Sequence, residues 1–284
     1  FIEQQPLWEQ IANPYASDPG IVNTGGIDYW VAMGPVAWTG QYPPWRAKVP
    51  TYRCPSDPGE GNPALARTNY AASLGDSSWG NSYGAAWYEG WFGAGDCWRF
   101  YDTATNSHAG GKDPCDRGMF VMRRPIRFRD CLDGLSNTVM MGEIMTDLGD
   151  RDVRTRYALG PEGPAGSPAE IIDLEENPSL CRDLLWIDPL KPTKWLDTVP
   201  LDGAWSGRGF RWAMGTPVYT GIGTQLPPNR EICAGSSDNP GADQWDMVAP
   251  PSSRHQGGCH ILMGDGAVTF ISDGIDAGDD HAPC

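Results

Sequence analysis

The clearest pattern of apolar and polar positions along the chain lies at residues 252–276. An apolar run over residues 259–263 leads into Gly264-Asp265-Gly266, and in the run over residues 267–272 alternate side chains fall on opposite faces. Glycines on both sides of an aspartate allow a positive φ in a tight turn between two short strands. The pattern therefore predicts a β-hairpin at the C-terminal end.

Shorter patterns predict the other elements. Apolar residues with a period of two indicate a strand at 138–145, and residues 68–74 are typical of another short strand. We also predict strands at 49–54, at 119–129 and around 205–212, and short helices at 1–11, 169–176 and 180–187. Together these elements favour an α+β fold in one domain over residues 1–284, with an antiparallel sheet, few short helices and long loops pinned by disulfides.

The composition explains why the loops are expected to be ordered. The chain has 36 glycines and 26 prolines, which is typical of a loop-rich protein, but it also has 13 tryptophans and 10 tyrosines, which disordered chains lack. We interpret residues 76–118 as a Gly/Trp-rich insertion loop. Its tryptophans could stack on sugars, pack against a neighbouring subunit or form an aromatic cluster under the loop; they are Trp79, Trp87, Trp91 and Trp98.

The formal net charge of −15 excludes some classes of partner. Nucleic acid and anionic membrane surfaces require lysine and arginine, so neither is expected. Clustered carboxylates could instead hold Ca²⁺, and the best candidates follow the predicted hairpin; they are Asp273, Asp276, Asp279 and Asp280. Two further clusters, Asp147 with Asp150 and Asp152, and Asp238 with Asp243 and Asp246, are alternatives. A plainly solvated acidic surface explains the charge equally well.

The cysteines indicate the compartment. The chain has eight cysteines and no C-x-x-C motif, so zinc-ribbon and thioredoxin-like sites are not expected. An even number in a loop-rich chain predicts disulfides and an extracellular or cell-surface location, although free buried thiols are the alternative. Cys97 and Cys115 are the clearest pair; the partners of the others stay open, and they are Cys54, Cys131, Cys181, Cys233, Cys259 and Cys284. No run of 18 apolar residues occurs, so no membrane span is predicted in this chain.

Four sequence blocks follow one another in a characteristic order. The first block is YRCPSD at 52–57, and the second, at 68–75, begins with TNYA and ends with Gly75. The third, at 127–143, begins with RFRDCLDGLSNT and ends with Gly-Glu. The fourth, at 253–276, begins with Ser-Arg-His, contains Asp265-Gly266 and ends with Ile-Asp. In this order they resemble bacterial prepilin-like proteins with a C-terminal H-X9-DG domain. The same family also carries a solute-binding label.

The resemblance implies a pilin-like globular domain that works in assembly. Members typically begin with a short basic leader and a long apolar helix, which is not present in this sequence. The residues of the family motifs are then expected to be structural; they are Asp133, Gly134, Ser136, Asn137, Glu143, His255, Asp265 and Gly266. Cys131 and Cys259 occupy positions that are usually aliphatic in the family, and a bridge between them is a further hypothesis.

The resemblance favours a non-catalytic subunit of an extracellular filament, pseudopilus or surface assembly that associates with itself. His255 and Asp265 could form a proton-transfer pair, but no G-x-S-x-G or H-E-x-x-H motif accompanies them, so an enzyme is not expected. Ser136, Asn137 and Glu143 could instead line a ligand site. The alternative function is an extracytoplasmic glycan- or solute-binding module that uses the tryptophan-rich loop, and a hydrolase comes third.

Overall fold

The computed structural model describes residues 3–16, 29–77, 117–121, 125–159, 174, 177–234 and 247–282, together with the backbone of four two-residue strands between residues 97 and 113. The helices of these residues are α1 (Gln5–Ala12), α2 (Leu180–Asp183) and α3 (Pro217–Thr220). The strands are β1 (Tyr15–Ala16), β2 (Tyr29–Trp30), β3 (Tyr70–Gly75), β4 (Cys97–Trp98), β5 (Tyr101–Asp102), β6 (Ser107–His108), β7 (Lys112–Asp113), β8 (Val139–Glu143), β9 (Ala158–Leu159), β10 (Gly221–Gly223), β11 (Cys233–Ala234), β12 (Met247–Val248), β13 (Gly258–Met263) and β14 (Val268–Ser272).

A five-stranded sheet with the order β10-β3-β8-β13-β14 organises the fold. The pairs β3/β8, β8/β13 and β13/β14 are antiparallel, whereas β10 runs parallel to β3. Gly142 lies opposite both Ala71 and Ile261 in the middle of the sheet. A Cβ atom at Gly142 would lie 2.7 Å from Cδ1 of Ile222, so any side chain at this position would have to displace the buried Ile222.

The core around this sheet is divided into several clusters. Ala71 of β3 and Ile222 of β10 form one cluster with Ile144, which follows β8. A second cluster includes Trp195, Cys181 and Cys233, and the three-stranded sheet β12-β11-β9 contributes to it through Val248 and Ala158. A third cluster lies beside α1 and consists of Ile11, Trp30, Tyr42 and Trp45.

The predicted fold class is confirmed. The described residues form an α+β structure with few short helices and mainly antiparallel sheets. The strands predicted at 68–74 and 138–145 and the C-terminal hairpin are present as β3, β8 and β13/β14. The helix predicted at 1–11 is present as α1 and begins beside Pro6, which is well suited to the first helical turn because it has no N–H to donate.

Other local predictions are wrong. Pro50 opens a 3₁₀ turn over Pro50–Tyr52 where a strand was predicted, because proline cannot donate to a β-ladder. The strand predicted at 119–129 fails at its end: Val121 forms a β-bridge and residues 122–124 lie outside the described residues, but a 3₁₀ turn begins at Phe128, and the Asp130 carboxylate accepts a hydrogen bond from the Arg127 N–H. Residues 205–212 form turns around Gly209, whose φ is +67°.

The helix predicted at 180–187 is reduced to the single turn α2. Leu185, shortly after its end, has a φ of 57°, a left-handed conformation that does not continue a helix. Apart from Leu174, which has helical conformation, the helix predicted at 169–176 lies outside the described residues.

The cysteines fall into three groups: disulfide-bonded, free, and outside the described residues. Cys181 and Cys233 form a disulfide. Cys54, Cys131 and Cys259 are free, so the hypothesis of a Cys131–Cys259 bridge is wrong. Cys259 is buried within β13, whereas the Cys131 thiol is directed toward the sulfur of Met119 at 3.4 Å. Cys115 and Cys284, like the side chain of Cys97, lie outside the described residues.

Candidate functional site

Three side chains from separate segments converge at one end of the five-stranded sheet. Glu143 is the last residue of β8, His255 precedes β13, and Cys54 follows the 3₁₀ turn at Pro50–Tyr52. Their ligand atoms, one sulfur, one carboxylate oxygen and one imidazole nitrogen, all lie within 4.8 Å of one another. We refer to Cys54, Glu143 and His255 as the thiol–carboxylate–imidazole cluster.

Asn69 fixes Cys54 to the sheet. The side-chain oxygen of Asn69 accepts a hydrogen bond from the Cys54 backbone N–H at 3.1 Å, and its amide nitrogen donates to the carbonyl of Ile144 at 3.0 Å. The Asn69 backbone N–H also donates to the carbonyl of Tyr52 at 2.7 Å. One asparagine at the start of β3 therefore holds the cysteine loop next to the end of β8.

Ser253 fixes the segment that carries His255. Its hydroxyl donates to the carbonyl of Gly258 at 2.7 Å and accepts the His255 backbone N–H at 3.1 Å. Its own backbone N–H donates to the side-chain oxygen of Asn229 at 2.9 Å. Gly257, with a φ of +82°, allows the turn into β13. The Ser-Arg-His block is thus anchored at both ends before the last hairpin begins.

The distances within the cluster are those of close polar contacts. Nε2 of His255 lies 3.4 Å from Oε1 of Glu143 and 3.9 Å from Sγ of Cys54. The second oxygen of Glu143 accepts a hydrogen bond from the His260 backbone N–H at 2.8 Å, and Nδ1 of His260 lies 3.3 Å from it. The two carboxylate oxygens therefore face two different histidines.

Burial and negative charge change the pKa values of two neighbours. Burial raises the pKa of the Tyr70 hydroxyl, and the charges of Cys54 and Glu143 raise it further. Burial also raises the pKa of the Cys259 thiol to about 12, with additional contributions from the carboxylates of Glu143 and Asp273. Cys259 is therefore a neutral thiol at physiological pH.

The arrangement differs from that of a cysteine-type catalytic triad. In such a triad the nucleophile and the orienting acid contact different nitrogens of one imidazole ring. Here Cys54 and Glu143 both approach Nε2 of His255. Three groups that meet at one point, rather than in a line, suit a common ligand better than proton transfer along a chain.

A buried polar network adjoins the cluster. Asp57 accepts hydrogen bonds from the Thr146 hydroxyl at 2.6 Å and from the backbone N–H groups of Thr146 and Gly59 at 2.9 Å each. Arg254, which directly precedes His255, contacts Asp57 at 3.4 Å and donates to the Thr146 carbonyl at 3.0 Å. The network ties the residues around Cys54 and His255 to the end of β8.

A family model described as "Protein of unknown function (DUF1559)", with the short name SBP_bac_10, matches residues 1–278. The chain belongs to the DUF1559 family. No curated protein and no solved structure matches the chain. The DUF1559 match includes all three residues of the thiol–carboxylate–imidazole cluster.

In this DUF1559 chain the structure separates His255 from Asp265. Asp265 lies in the turn between β13 and β14, whereas His255 lies at the other end of β13. The carboxylate of Asp265 accepts a hydrogen bond from the backbone N–H of Ala267 at 2.9 Å, and Gly266 has a φ of +90°. The structure instead brings His255 together with Glu143, from a different sequence block.

The block around Asp133 forms a turn in this DUF1559 chain. The Asn137 amide donates to the Asp133 carbonyl at 2.9 Å, and Gly134 has a φ of +87°. Ser136 lies apart from Glu143, at the rim of a groove of about 460 Å³ that also contains Ile261. Ser136, Asn137 and Glu143 therefore do not form a common site among the described residues.

The four aspartates predicted to hold calcium do not all meet at one place. Asp273 accepts a hydrogen bond from the Asn229 amide at 2.6 Å, and Asp276 accepts one from the backbone N–H of Gly278 at 3.0 Å. Asp280 pairs with Arg230 at 3.2 Å and with Arg182 at 3.4 Å. Asp279 and Asp280 lie together with His281, so the structure gathers two of the four aspartates in a group with metal-binding potential.

Of the two alternative acidic clusters, one is engaged in ion pairs with basic side chains and the other lies outside the described residues. Asp147 pairs with Arg156 at 3.6 Å, Asp152 with Arg154 at 2.8 Å, and Asp150 with Lys194 at 2.6 Å. The third cluster, Asp238, Asp243 and Asp246, lies outside the described residues, as do Trp79, Trp87, Trp91 and the side chain of Trp98.

Two residues of the site and one aromatic groove have no matching prediction from the sequence. Cys54 is predicted only as a disulfide candidate, and His260 carries no prediction. The signal for Cys54 was its place in the first of the four family blocks. The groove, of about 590 Å³, lies beside α1 and uses tryptophans outside the predicted insertion loop; its aromatic lining is Trp8, Trp45, Tyr52 and Trp212.

Within the described residues no helix is long and apolar enough to cross a membrane.

Proposed function

We propose that this chain is a non-catalytic structural subunit of an extracellular filament, pseudopilus or surface assembly, in which a second copy of the chain pairs with strand β14. The observation that carries the proposal is the open edge of the five-stranded sheet. Strand β14 is the last strand in the order β10-β3-β8-β13-β14, and among the described residues it pairs only with β13.

Within the described part of the chain, the outward backbone groups of β14 are available for a further strand. The Met263 N–H donates to the Ala267 carbonyl at 2.8 Å, so these two residues form a hydrogen-bonded pair of the hairpin. In an antiparallel hairpin, hydrogen-bonded and non-hydrogen-bonded residue pairs alternate along the strands. Even-numbered residues of β14 consequently direct their N–H groups away from β13; they are Val268, Phe270 and Ser272. An edge of this kind is a template for pairing with another chain.

The side chains of β14 do not protect the edge. The strand contains no charged residue and no proline, which are the usual means of blocking edge-to-edge association. Val268 is 67% exposed and Phe270 is 46% exposed. Large apolar side chains on an unpaired edge favour the approach of a second apolar strand.

Net charge opposes this association. Two copies that each carry a formal charge of −15 repel one another, and salt screens this repulsion. We therefore expect self-association to strengthen as ionic strength rises. This distinguishes apolar edge pairing from assembly through opposite charges, which salt would weaken.

Two further observations support the proposal. The Cys181–Cys233 disulfide suits an oxidising compartment, in agreement with an extracellular or cell-surface location. The two contacts at one nitrogen of His255 do not form the proton relay of a cysteine hydrolase, in agreement with a non-catalytic role. The pilin-like character and the H-X9-DG assignment of the last hairpin belong to the same proposal.

Replacing Val268 by proline tests the edge. Proline removes an outward N–H but no bond to β13, and proline is tolerated in edge strands where the N–H faces away from the sheet. We expect the variant to fold and its self-association constant to fall at least about tenfold, which corresponds to about 1.4 kcal/mol. Sedimentation velocity over a range of protein and salt concentrations measures the change.

A matched control distinguishes pairing at the β14 edge from a general effect of exposed apolar side chains on association. Leu190 is 89% exposed and lies in a turn outside the sheet, so Leu190→Lys should associate as the parent chain does. Phe270→Lys should behave as Val268→Pro does. A parent chain that stays monomeric at every protein and salt concentration, or a Val268→Pro variant that associates normally, would contradict the proposal.

The alternative function is an extracytoplasmic glycan- or solute-binding module, and the aromatic groove beside α1 favours it. The groove has the volume of a small-molecule site and is lined mainly by apolar and aromatic side chains. A monomeric chain whose tryptophan fluorescence responds to a glycan, with the response lost in Trp212→Ala, would support this alternative over assembly.

A further inference from the structure

We infer that Cys54, Glu143 and His255 form a binding site for one divalent transition-metal ion of the zinc class. The inference is independent of self-association, because none of the three residues lies on strand β14: Cys54 follows the 3₁₀ turn at Pro50–Tyr52, Glu143 ends β8 and His255 precedes β13. It assigns a chemical role to a cysteine that makes no disulfide.

The distances from Nε2 of His255 suit a common ion, and the Cys54 sulfur lies within 4.8 Å of the Glu143 carboxylate. In tetrahedral zinc sites the bonds measure about 2.0–2.3 Å, so neighbouring ligand atoms lie about 3.3–3.8 Å apart. Nε2 of His255 lies 3.4 Å from the Glu143 carboxylate and 3.9 Å from the Cys54 sulfur. The ion would replace the direct contacts at Nε2, with shifts of only a few tenths of an ångström at that nitrogen.

The set of donors selects the class of metal. Thiolate and imidazole favour zinc and similar ions, whereas Ca²⁺ and Mg²⁺ take oxygen ligands almost exclusively. A cysteine, a histidine and one carboxylate provide three ligands and leave the fourth position to water or to another group. The His255 side chain is 36% exposed, so solvent reaches this side of the cluster.

The distribution of charge around the cluster calls for a cation. The Glu143 side chain is 11% exposed, and among the described residues only histidines lie within ion-pair distance of it. The neighbouring Asp57, by contrast, forms ion pairs with both Arg53 and Arg254. A buried carboxylate beside a thiol is costly without a cation, and a divalent ion would neutralise both groups.

Supporting residues already hold the ligands in place. Asn69 positions Cys54 through its backbone N–H, and the His260 backbone N–H binds the Glu143 oxygen that faces away from His255. The ring of His260 packs between those of His255 and Phe270, with centroid distances of 5.4 and 5.1 Å. Such hydrogen-bonded and packed support orients the ligands of metal sites in general.

Cobalt substitution in the full chain tests the inference. After treatment with a chelator, the chain should bind one Co²⁺ with a thiolate-to-cobalt charge-transfer band in the near ultraviolet, and Zn²⁺ should displace it. Cys54→Ser should abolish the band and weaken Zn²⁺ binding at least about 100-fold, beyond the usual effect of losing a supporting residue. Cys131→Ser, which changes another half-buried free thiol, should leave both unchanged.

A second readout uses the cysteines of one molecule as internal controls. Zn²⁺ should slow the alkylation of Cys54 but not that of Cys131, and a chelator should reverse the protection. His255→Gln should remove this protection while Cys54 remains present. His281→Gln, in the separate group with Asp279 and Asp280, should retain it.

Two results would overturn the inference. One is a correctly folded parent chain, by circular dichroism, that shows no charge-transfer band with Co²⁺. The other is a band or a Zn²⁺ affinity that Cys54→Ser leaves unchanged, which would place the metal elsewhere. Neither result bears on association through β14, which the Val268→Pro variant tests separately.

Discussion

The double variant Cys181→Ala with Cys233→Ala is expected to lose about 4 kcal/mol of free energy of unfolding. The disulfide joins residues 52 positions apart, and the loss follows from the conformational entropy that a crosslink of this loop length removes from the unfolded chain. Cys181 belongs to α2 and Cys233 to β11, so the disulfide joins α2 to the three-stranded sheet β12-β11-β9 within the cluster that contains Trp195. The expected loss is a large part of the stability of an ordinary domain.

Chemical denaturation with urea measures this loss. The double variant should unfold at a lower urea concentration than the oxidised parent chain, and reduction should lower the midpoint of the parent but not that of the variant. Cys131→Ala is the matched control, since its thiol is free, and it should stay within about 1 kcal/mol of the parent. A double variant as stable as the parent would show that the bridge does not constrain the unfolded chain.

Replacing Asp57 by asparagine is expected to cost about 3–5 kcal/mol, the usual range when one partner of a buried ion pair is removed. Both oxygens of Asp57 accept hydrogen bonds, from Gly59 and from the backbone and hydroxyl of Thr146. Arg53 and Arg254 each lie 3.4 Å from the carboxylate. Asparagine would leave both guanidinium groups without a counter-charge and would present an amide to donors.

The pH dependence of the Asp57→Asn effect has a definite sign. Burial by itself raises the pKa of Asp57, but the hydrogen bonds from Thr146 and Gly59 and the charge of Arg254 bring the pKa below its ordinary value. A carboxylate with a lowered pKa stabilises the fold above its unfolded pKa of about 3.9. This contribution is lost as the pH falls through the folded pKa, so the difference between parent and variant should shrink in acid.

Asp147→Asn provides the matched control. Burial raises the pKa of Asp147 in spite of the nearby charge of Arg156. The folded chain therefore binds this proton more tightly than the unfolded chain, and the parent should gain stability relative to Asp147→Asn as the pH falls. Thermal unfolding of the three proteins between neutral and acidic pH measures both trends. Parallel trends for the two variants would contradict the assignment of the lowered pKa to Asp57.

The described part of the fold was predictable where it depends on neighbouring residues. The alternation and the Gly-Asp-Gly turn of the last hairpin define β13 and β14 without reference to the rest of the chain, because side-chain direction in a strand repeats every two residues. Predictions failed where a single residue outweighed the pattern. Pro50 replaced a strand by a 3₁₀ turn, and the hydrogen bond between Arg127 and Asp130 did the same further along.

The sequence by itself determined the class of fold, the last hairpin and the acidic, cysteine-containing character of the chain. It also contained the family blocks that hold Cys54, Glu143 and His255, but it did not show that these three residues meet. Only the tertiary structure decided this, because the order of strands β3, β8 and β13 in the sheet brings distant segments together. Strand order and disulfide partners depend on contacts between residues far apart in the chain, which no local pattern encodes. The edge position of β14 among the described strands has the same origin: the sequence predicts a strand there, and the strand order of the sheet leaves it last.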